Sequence, residues 1–287
     1  MLVDAHIHIF PPEVVAERER FVGLDPHFAL LYANPKARLA TAEDAVESLE
    51  RNGIDGAFAL GFGWSDLALC RFHNDYLSDA QRRYPGRLAS FAAIQPLAGA
   101  AALVEVDRAL GAGLRGVGEL MPHGQGYHLD DWLVIDPLAE ALIALDRPLV
   151  VHVSEPVGHA YPGKGDVSPA AAWRLAARHP GLRIVFAHWG GGLPFYELMP
   201  EVKAALANTF YDSAASTYLY DVGIFRATAN LVGEGRILFA TDYPLVRQGP
   251  FLQRVRALGL PDLALGPMLG GNAVRLLGTA GTWPDRR

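Results

Sequence analysis

The chain has 287 residues, a formal charge of -6 at pH 7, 51% hydrophobic residues and 20% charged residues. That balance excludes a disordered chain and fills a globular core, and the length suits one domain, since single barrels of about 250 residues are routine. The acidic balance gives a polyanion such as nucleic acid no electrostatic support, the lone Cys70 excludes an internal disulfide, and no apolar run approaches the ~18 residues of a membrane span. No basic leader with a small-residue cleavage site opens the chain, so the expectation is a cytoplasmic protein.

In chain order, the apolar run at 2–8 ends in Asp4-Ala5-His6-Ile7-His8, and successive strand side chains point to opposite faces, so His6 and His8 share one. The segment 9–40 carries Pro11, Pro12, Pro26 and Pro35 and is expected to be an irregular insertion over a barrel mouth. A helix over 42–51 follows, with Thr41 as N-cap, Glu43 and Asp44 at its positive end and Gly53 beyond its close. Strands are expected at 54–60, 88–94, 114–120, 148–153, 183–188, 209–213 and 237–242. Helical spacing recurs between them, at Leu67 to Arg71, where Cys70 is a packed thiol, and at 100–111, 138–145, 169–178 and 253–258.

Strand alternating with helix predicts a parallel sheet, and eight such strands predict closure into a (β/α)8 TIM barrel, one domain over 1–287. An open doubly wound sheet competes. Against it, the first strand is not followed by a phosphate-binding glycine pattern, and polar residues end most strands rather than one switch point.

Those strand ends are His6 and His8, then Glu119, His152, His188, Asp212 and Asp242, at intervals near one βα unit. All reach the C-terminal rim of a barrel, where residues distant in sequence converge on one ion. Imidazoles and a carboxylate around an open position suit zinc, and manganese or iron also fit. Such an ion lowers the pKa of bound water from about 15.7 to near 7; Asp242 can take the proton from that water and pass it to a leaving group, while His188 orients a carbonyl or steadies an oxyanion. Glu119 either bridges to a second metal or orients a histidine or pairs with Arg115, and Asp212 is expected behind the ligands. Trp64, Trp189 and Tyr243, just past strand ends, and His123, Gln125 and Tyr127 in the loop after Glu119 are candidates for substrate contact. His27, His73, His159 and His179 end no strand and are expected to be surface or structural, and Arg174 and Arg178 are expected to face solvent.

Four segments, Asp4-Ala5-His6-Ile7-His8, Val150-Val151-His152-Val153, Phe186-Ala187-His188-Trp189-Gly190-Gly191-Gly192 and Phe239-Ala240-Thr241-Asp242-Tyr243-Pro244, together resemble the amidohydrolase superfamily of metal-dependent barrels over nearly the whole chain. The terminal Gly270-Gly271-Asn272-Ala273-Val274-Arg275-Leu276-Leu277-Gly278 is similar to that family's last helix, and the glycine-rich turn after His188 to its branch containing aminocarboxymuconate semialdehyde decarboxylase. The resemblance implies His6, His8, His152 and Asp242 as metal ligands, with His188 beside the bound water or substrate.

Three functions follow. The leading one is a metal-dependent hydrolase of a small lactone, ester or amide using metal-activated water. The alternative is a metal-dependent non-oxidative decarboxylase, in which Asp242 or His188 governs protonation at carbon and Arg115 or a residue of the 10–39 segment anchors a carboxylate. The third is a barrel that binds metal without catalysis. A small-molecule substrate is the expected partner, and a homodimer the default assembly.

Overall fold

In the computed structural model, which describes residues 1–278 and Trp283, eight parallel strands run in sequence order. They are β1 (Val3–His8), β2 (Gly56–Leu60), β3 (Leu88–Ser90), β4 (Val117–Leu120), β5 (Leu149–Val151), β6 (Ile184–Phe186), β7 (Thr209–Asp212) and β8 (Ile237–Leu238). Continuous pairing gives a three-stranded and a five-stranded sheet. Single parallel bridges, Ala92 with Val117 and Ile7 with Tyr243, join the sheets at both seams. The seams carry further backbone bonds from Ala5 N–H to the Phe239 carbonyl at 2.8 Å and from Gly118 N–H to the Ala92 carbonyl at 2.9 Å. The strands thus form the ring of a (β/α)8 barrel, with no open edge in need of cover.

Two layers of core follow from strand alternation. Val3, Ala5, Phe58, Phe91, Val150, Val185 and Leu238 fill the barrel interior, while Ala57, Leu88, Val117 and Ile184 face the surrounding helices and meet residues such as Leu49 and Val106. The interior phase of β1 should continue from Val3 and Ala5 to Ile7, yet Ile7 packs in the outer layer. A register shift between Asp4 and Ile7 accounts for the reversal. It turns His6 and His8 toward the barrel axis, the kind of re-aiming that bulges perform beside active sites. β4 shifts register between Val117 and Leu120, just before Glu119. Gly118 has φ +135° there, and a Cβ on it would stand 2.6 Å from the Val150 carbonyl oxygen, so only glycine fits.

The helices at Ala42–Arg51, Ala100–Gly111 and Pro169–Arg178 have the bounds their spacing predicts. Thr41 and Asp44 form a reciprocal capping box at the first. Prolines explain the differences elsewhere. In segment 9–40 they start helices instead of preventing them: Pro12 and Pro26 open Pro12–Ala16 and Pro26–Tyr32, with Arg18–Leu24 between. Proline is tolerated in a first turn because its missing N–H would find no intrahelical acceptor. For the same reason Gln248–Arg256 begins ahead of its expected start and absorbs Pro250 in its first turn, whereas Trp132–Ala144 carries Pro137 in its interior and forgoes one backbone hydrogen bond there. The helix at Leu67–Arg83, capped by Asp66, extends well beyond the short run expected, and buries Cys70. Phe10, Val14, Phe21, Phe28, Phe62 and Trp64 form a separate aromatic-rich cluster that seats the insertion on the barrel. Among the described residues no helix is long and apolar enough to cross a membrane.

Candidate active site

The strand ends deliver their polar side chains to one buried point. His6 Nε2 lies 3.1 Å from His8 Nε2, and each lies 3.4 Å from Glu119 Oε2. Asp242 Oδ1 closes the set at 3.9 Å from His6 and 3.6 Å from His8. Metal–ligand bonds of about 2.1 Å put neighbouring donors about 3.4 Å apart around a tetrahedral ion, so His6, His8 and Glu119 have the spacing of a coordination shell, with Asp242 beside it.

Hydrogen bonds behind the rings fix which nitrogen faces inward. His6 Nδ1 donates to Asp212 Oδ2 at 2.8 Å, and His8 Nδ1 to the Leu60 carbonyl at 3.3 Å. Both Nε2 atoms therefore face each other and two carboxylates across one small space. Glu119 Oε2 is buried there and accepts no hydrogen bond. Two imidazole nitrogens and two carboxylates aimed at one buried point are costly unless positive charge sits among them, and this arrangement fits a divalent metal.

Burial alone pushes the His6 imidazole down, but the Asp212 and Glu119 carboxylates outweigh it and hold the pKa well above the usual range. Burial likewise pushes Glu119 up, and the charge and hydrogen bonds of the surrounding imidazoles, His6 first, draw it well below. The field that raises one and lowers the other is the field that attracts a metal.

His152 stands on the other side of Glu119. Its Nδ1 is 3.1 Å from Glu119 Oε1 and 3.1 Å from His188 Nε2, and its Nε2 is 3.1 Å from Ser154 Oγ. His188 Nδ1 donates to the Ala214 carbonyl at 3.2 Å, which turns its Nε2 toward His152 and Glu119. The Ser154 hydroxyl donates to His152 Nε2, so His152 Nδ1 is the donor on its other side. His6, His8 and Glu119, and Glu119, His152 and His188, are thus two metal-sized triads sharing one carboxylate. The chain's sequence groups His152 with His6 and His8; the structure groups it with His188.

Burial lowers the His188 pKa, but the hydrogen bond and charge of Glu119 override it and push it up to about 9. The left-handed backbone at His188 (φ 56°) and Asp242 (φ 65°) sets both side chains at the rim. The left-handed turn continues through Trp189 to Gly192, and a Cβ on Gly191 would stand 2.3 Å from the Ser154 carbonyl oxygen. Asp212 accepts from the His188 backbone N–H at 2.9 Å as well as from the His6 ring, so it braces one imidazole and the backbone that carries another.

A cavity of about 410 Å³ opens above this floor, with His8, Glu119, His152, His188 and Asp242 on its wall. Its upper wall comes from loops: Tyr32, Lys36 and Arg38 from the insertion, His159 and Tyr161 after β5, and Tyr218 after β7. None of these ends a strand, and the position of Lys36 and Arg38 in the segment assigned to the mouth is their one sequence signal.

Most residues proposed from sequence for substrate contact lie elsewhere. Trp64 packs in the insertion's aromatic cluster and donates from Nε1 to His73 Nδ1 at 3.1 Å. Gln125 is consumed by backbone, donating to the Trp64 and Ile94 carbonyls and accepting from Met121 N–H. Tyr127 is buried in the main core. Trp189 donates to Ser216 Oγ at 2.7 Å with its ring edge-on to Phe225, and the Tyr243 hydroxyl turns outward to the Asp44 carbonyl. His123 packs its ring 5.1 Å from His152 and 5.2 Å from His27, behind the cavity rather than on its wall. Being next to a strand end does not choose the face, and the left-handed turn after His188 folds Trp189 into the core.

Of the four histidines set aside, His27, His73 and His179 are buried and bonded within the fold, and His159 lines the cavity. Arg174 and Arg178 are half-exposed and pair with Asp130 and Asp136. Arg115 precedes β4, at the opposite end of that strand from Glu119, so the cations of the cavity are Lys36 and Arg38.

A family model described as amidohydrolase matches residues 3–279. The 2-amino-3-carboxymuconate-6-semialdehyde decarboxylase of Dictyostelium discoideum is 22% identical, with 96% of this chain and 91% of that protein covered. The solved 5-carboxyvanillate decarboxylase of Novosphingobium aromaticivorans, in complex with manganese, superposes with a TM-score of 0.78 at 19% identity, covering 96% of each chain. A 2,6-dihydroxybenzoate decarboxylase from Rhizobium superposes with a TM-score of 0.74 at 20% identity, covering 98% of this chain and 99% of that one. At such identities the two structures speak for the fold.

Proposed function

From the premise that this chain belongs to the amidohydrolase family, as an enzyme of that superfamily, we propose that it is a metal-dependent non-oxidative decarboxylase of a small unsaturated carboxylic acid. The observation that carries this is a buried metal-sized donor set, with Asp242 beside it, at the bottom of a cavity whose upper wall bears Lys36 and Arg38. The similar proteins with assigned reactions are decarboxylases, which favours this over the hydrolase that the ligand set alone suggests. Their substrates share a carboxyl group on an unsaturated carbon next to a carbon bearing a hydroxyl or amino group.

His6, His8, Glu119 and Asp242 would hold one divalent ion, manganese being the metal in the carboxyvanillate enzyme. Bound there, the ion would polarise an oxygen of the acid and spread the negative charge that moves as the carbon–carbon bond breaks. Lys36 and Arg38 draw the acid in, and Tyr32, Phe62 and Tyr218 give its flat framework apolar walls. Asp242, 14% exposed and facing the cavity, delivers a proton to the carbon that carries the carboxylate. Carbon dioxide then leaves, its bonding pair returns to the ring or diene, and the added hydrogen stays on carbon. One proton is consumed per turnover, and Asp242 regains it from solvent. His188, held by Ala214 and Asp212, orients the acid against His152 and Glu119.

The test is carbon dioxide release by the manganese-loaded protein from a panel of ortho-hydroxy and ortho-amino unsaturated acids, 2,6-dihydroxybenzoate and 5-carboxyvanillate among them. Release of one carbon dioxide per acid consumed is expected. No release from any member, alongside hydrolysis of a lactone or ester panel, would return the hydrolase.

A further inference from the structure

Several arginines of this acidic chain are neutralised by neighbours. Arg83 pairs with Glu43 and Asp79, Arg108 with Asp75 and Glu105, Arg174 with Asp130 and Arg178 with Asp136. Others, Arg247 and Arg254 among them, meet no carboxylate among the described residues. These two line one shallow recess of about 180 Å³, and Arg38 is the third cation on its wall. The remaining wall is apolar or hydroxyl-bearing, with Thr217, Tyr218, Leu245 and Phe251 prominent, and no acidic side chain lines it.

Three cationic side chains on the wall of one small recess, with no acidic side chain among them, favour an anion there. Each offers planar donors that match the oxygens of a carboxylate or phosphate in pairs. Arg38 is partly fixed, donating from Nη2 to the Leu245 carbonyl at 2.7 Å, which leaves its other donors for a ligand. The recess is also continuous with the cavity, since Arg38, Tyr218 and Leu245 belong to both walls.

We propose that Arg38, Arg247 and Arg254 form a peripheral subsite for an oxyanion group, either carboxylate or phosphate. It takes the far end of an elongated acid whose other end reaches the floor through the shared wall. That the two ends belong to one molecule rests on the function proposed above; the capture of an oxyanion by the recess does not.

The experiment is calorimetric titration of the manganese-loaded protein with inorganic phosphate and, separately, with acetate at low ionic strength. The parent is compared with the exposed double variants Arg247→Gln/Arg254→Gln and Arg247→Lys/Arg254→Lys. Phosphate can also reach the metal floor, so two phosphate sites are expected in the parent and one in the glutamine variant. Affinity at the lost site should fall about tenfold or more, and the lysine variant should keep it within about threefold. Acetate showing the same loss while phosphate shows none assigns the subsite to a carboxylate. Isotherms that match across parent and glutamine variant for both anions overturn the proposal. A protein that releases no carbon dioxide yet keeps this phosphate difference leaves the subsite standing and removes the decarboxylase.

Discussion

At the floor of the cavity every imidazole is braced from behind: His6 by Asp212, His8 by the Leu60 carbonyl, His188 by the Ala214 carbonyl, and His152 by Ser154. At the mouth Lys36 and Arg38 stand exposed on an irregular stretch after the helix Pro26–Tyr32, and Arg247 and Arg254 on the turn and helix after β8. The contrast divides the labour. Groups that must hold a metal and move a proton need fixed direction, which strand ends and second hydrogen bonds supply. Groups that attract and sort an acid need charge and reach, which loops supply at little cost to the barrel.

If the floor performs the chemistry, Asp242→Asn should show the largest effect, a fall in kcat of about 10³ with KM little changed, measured by carbon dioxide release. An equal rise in KM would move Asp242 to binding and blur the distinction.

His73 joins the two regions, its Nε2 donating to the Ile9 carbonyl just past β1 at 2.7 Å while its Nδ1 accepts from Trp64. Burial holds its pKa down to about 4, against an unfolded value near 6.5. The unfolded chain therefore takes up the proton first as pH falls, so the stabilisation is complete above pH 6.5 and is lost progressively down to pH 4. About 2 kcal/mol should disappear between pH 7 and pH 5. Urea unfolding at the two pH values checks this, and His73→Gln should remove that share of the difference.

The mouth should respond in the opposite sense to the floor. Lys36→Gln is expected to raise KM about tenfold, roughly 1.4 kcal/mol, with kcat within twofold. A kcat loss larger than the KM change would mean that Lys36 acts on the reacting atoms. The smallest effect belongs to Trp64→Phe, which removes the donor to His73 and should cost about 1 kcal/mol in urea unfolding while leaving KM unchanged.

The floor was far more legible in the sequence than the mouth. Strand ends are periodic, so His6, His8, Glu119, His152, His188 and Asp242 could be placed on one rim from spacing alone. Their grouping could not, because the register shifts in β1 and β4 and the left-handed backbone at His188 and Asp242 decide which atoms meet. Tyr32, Arg38, His159 and Tyr218 lie on segments without period, and nothing local tells a loop side chain that lines a cavity from one that faces solvent. Trp64 and Trp189 show the converse: large aromatics after strand ends were drawn into cores by hydrogen bonds to His73 and Ser216 that lie beyond local sequence.

His6, His8 and Glu119, with Asp242 beside them, aim their inward atoms at one buried point that suits a cation, next to a second triad of Glu119, His152 and His188. Elemental analysis of the purified chain after equilibration with manganese and removal of excess metal tests this directly. About one ion per chain is expected, falling to near zero in His8→Ala. No retained metal, or about two ions per chain, would contradict it.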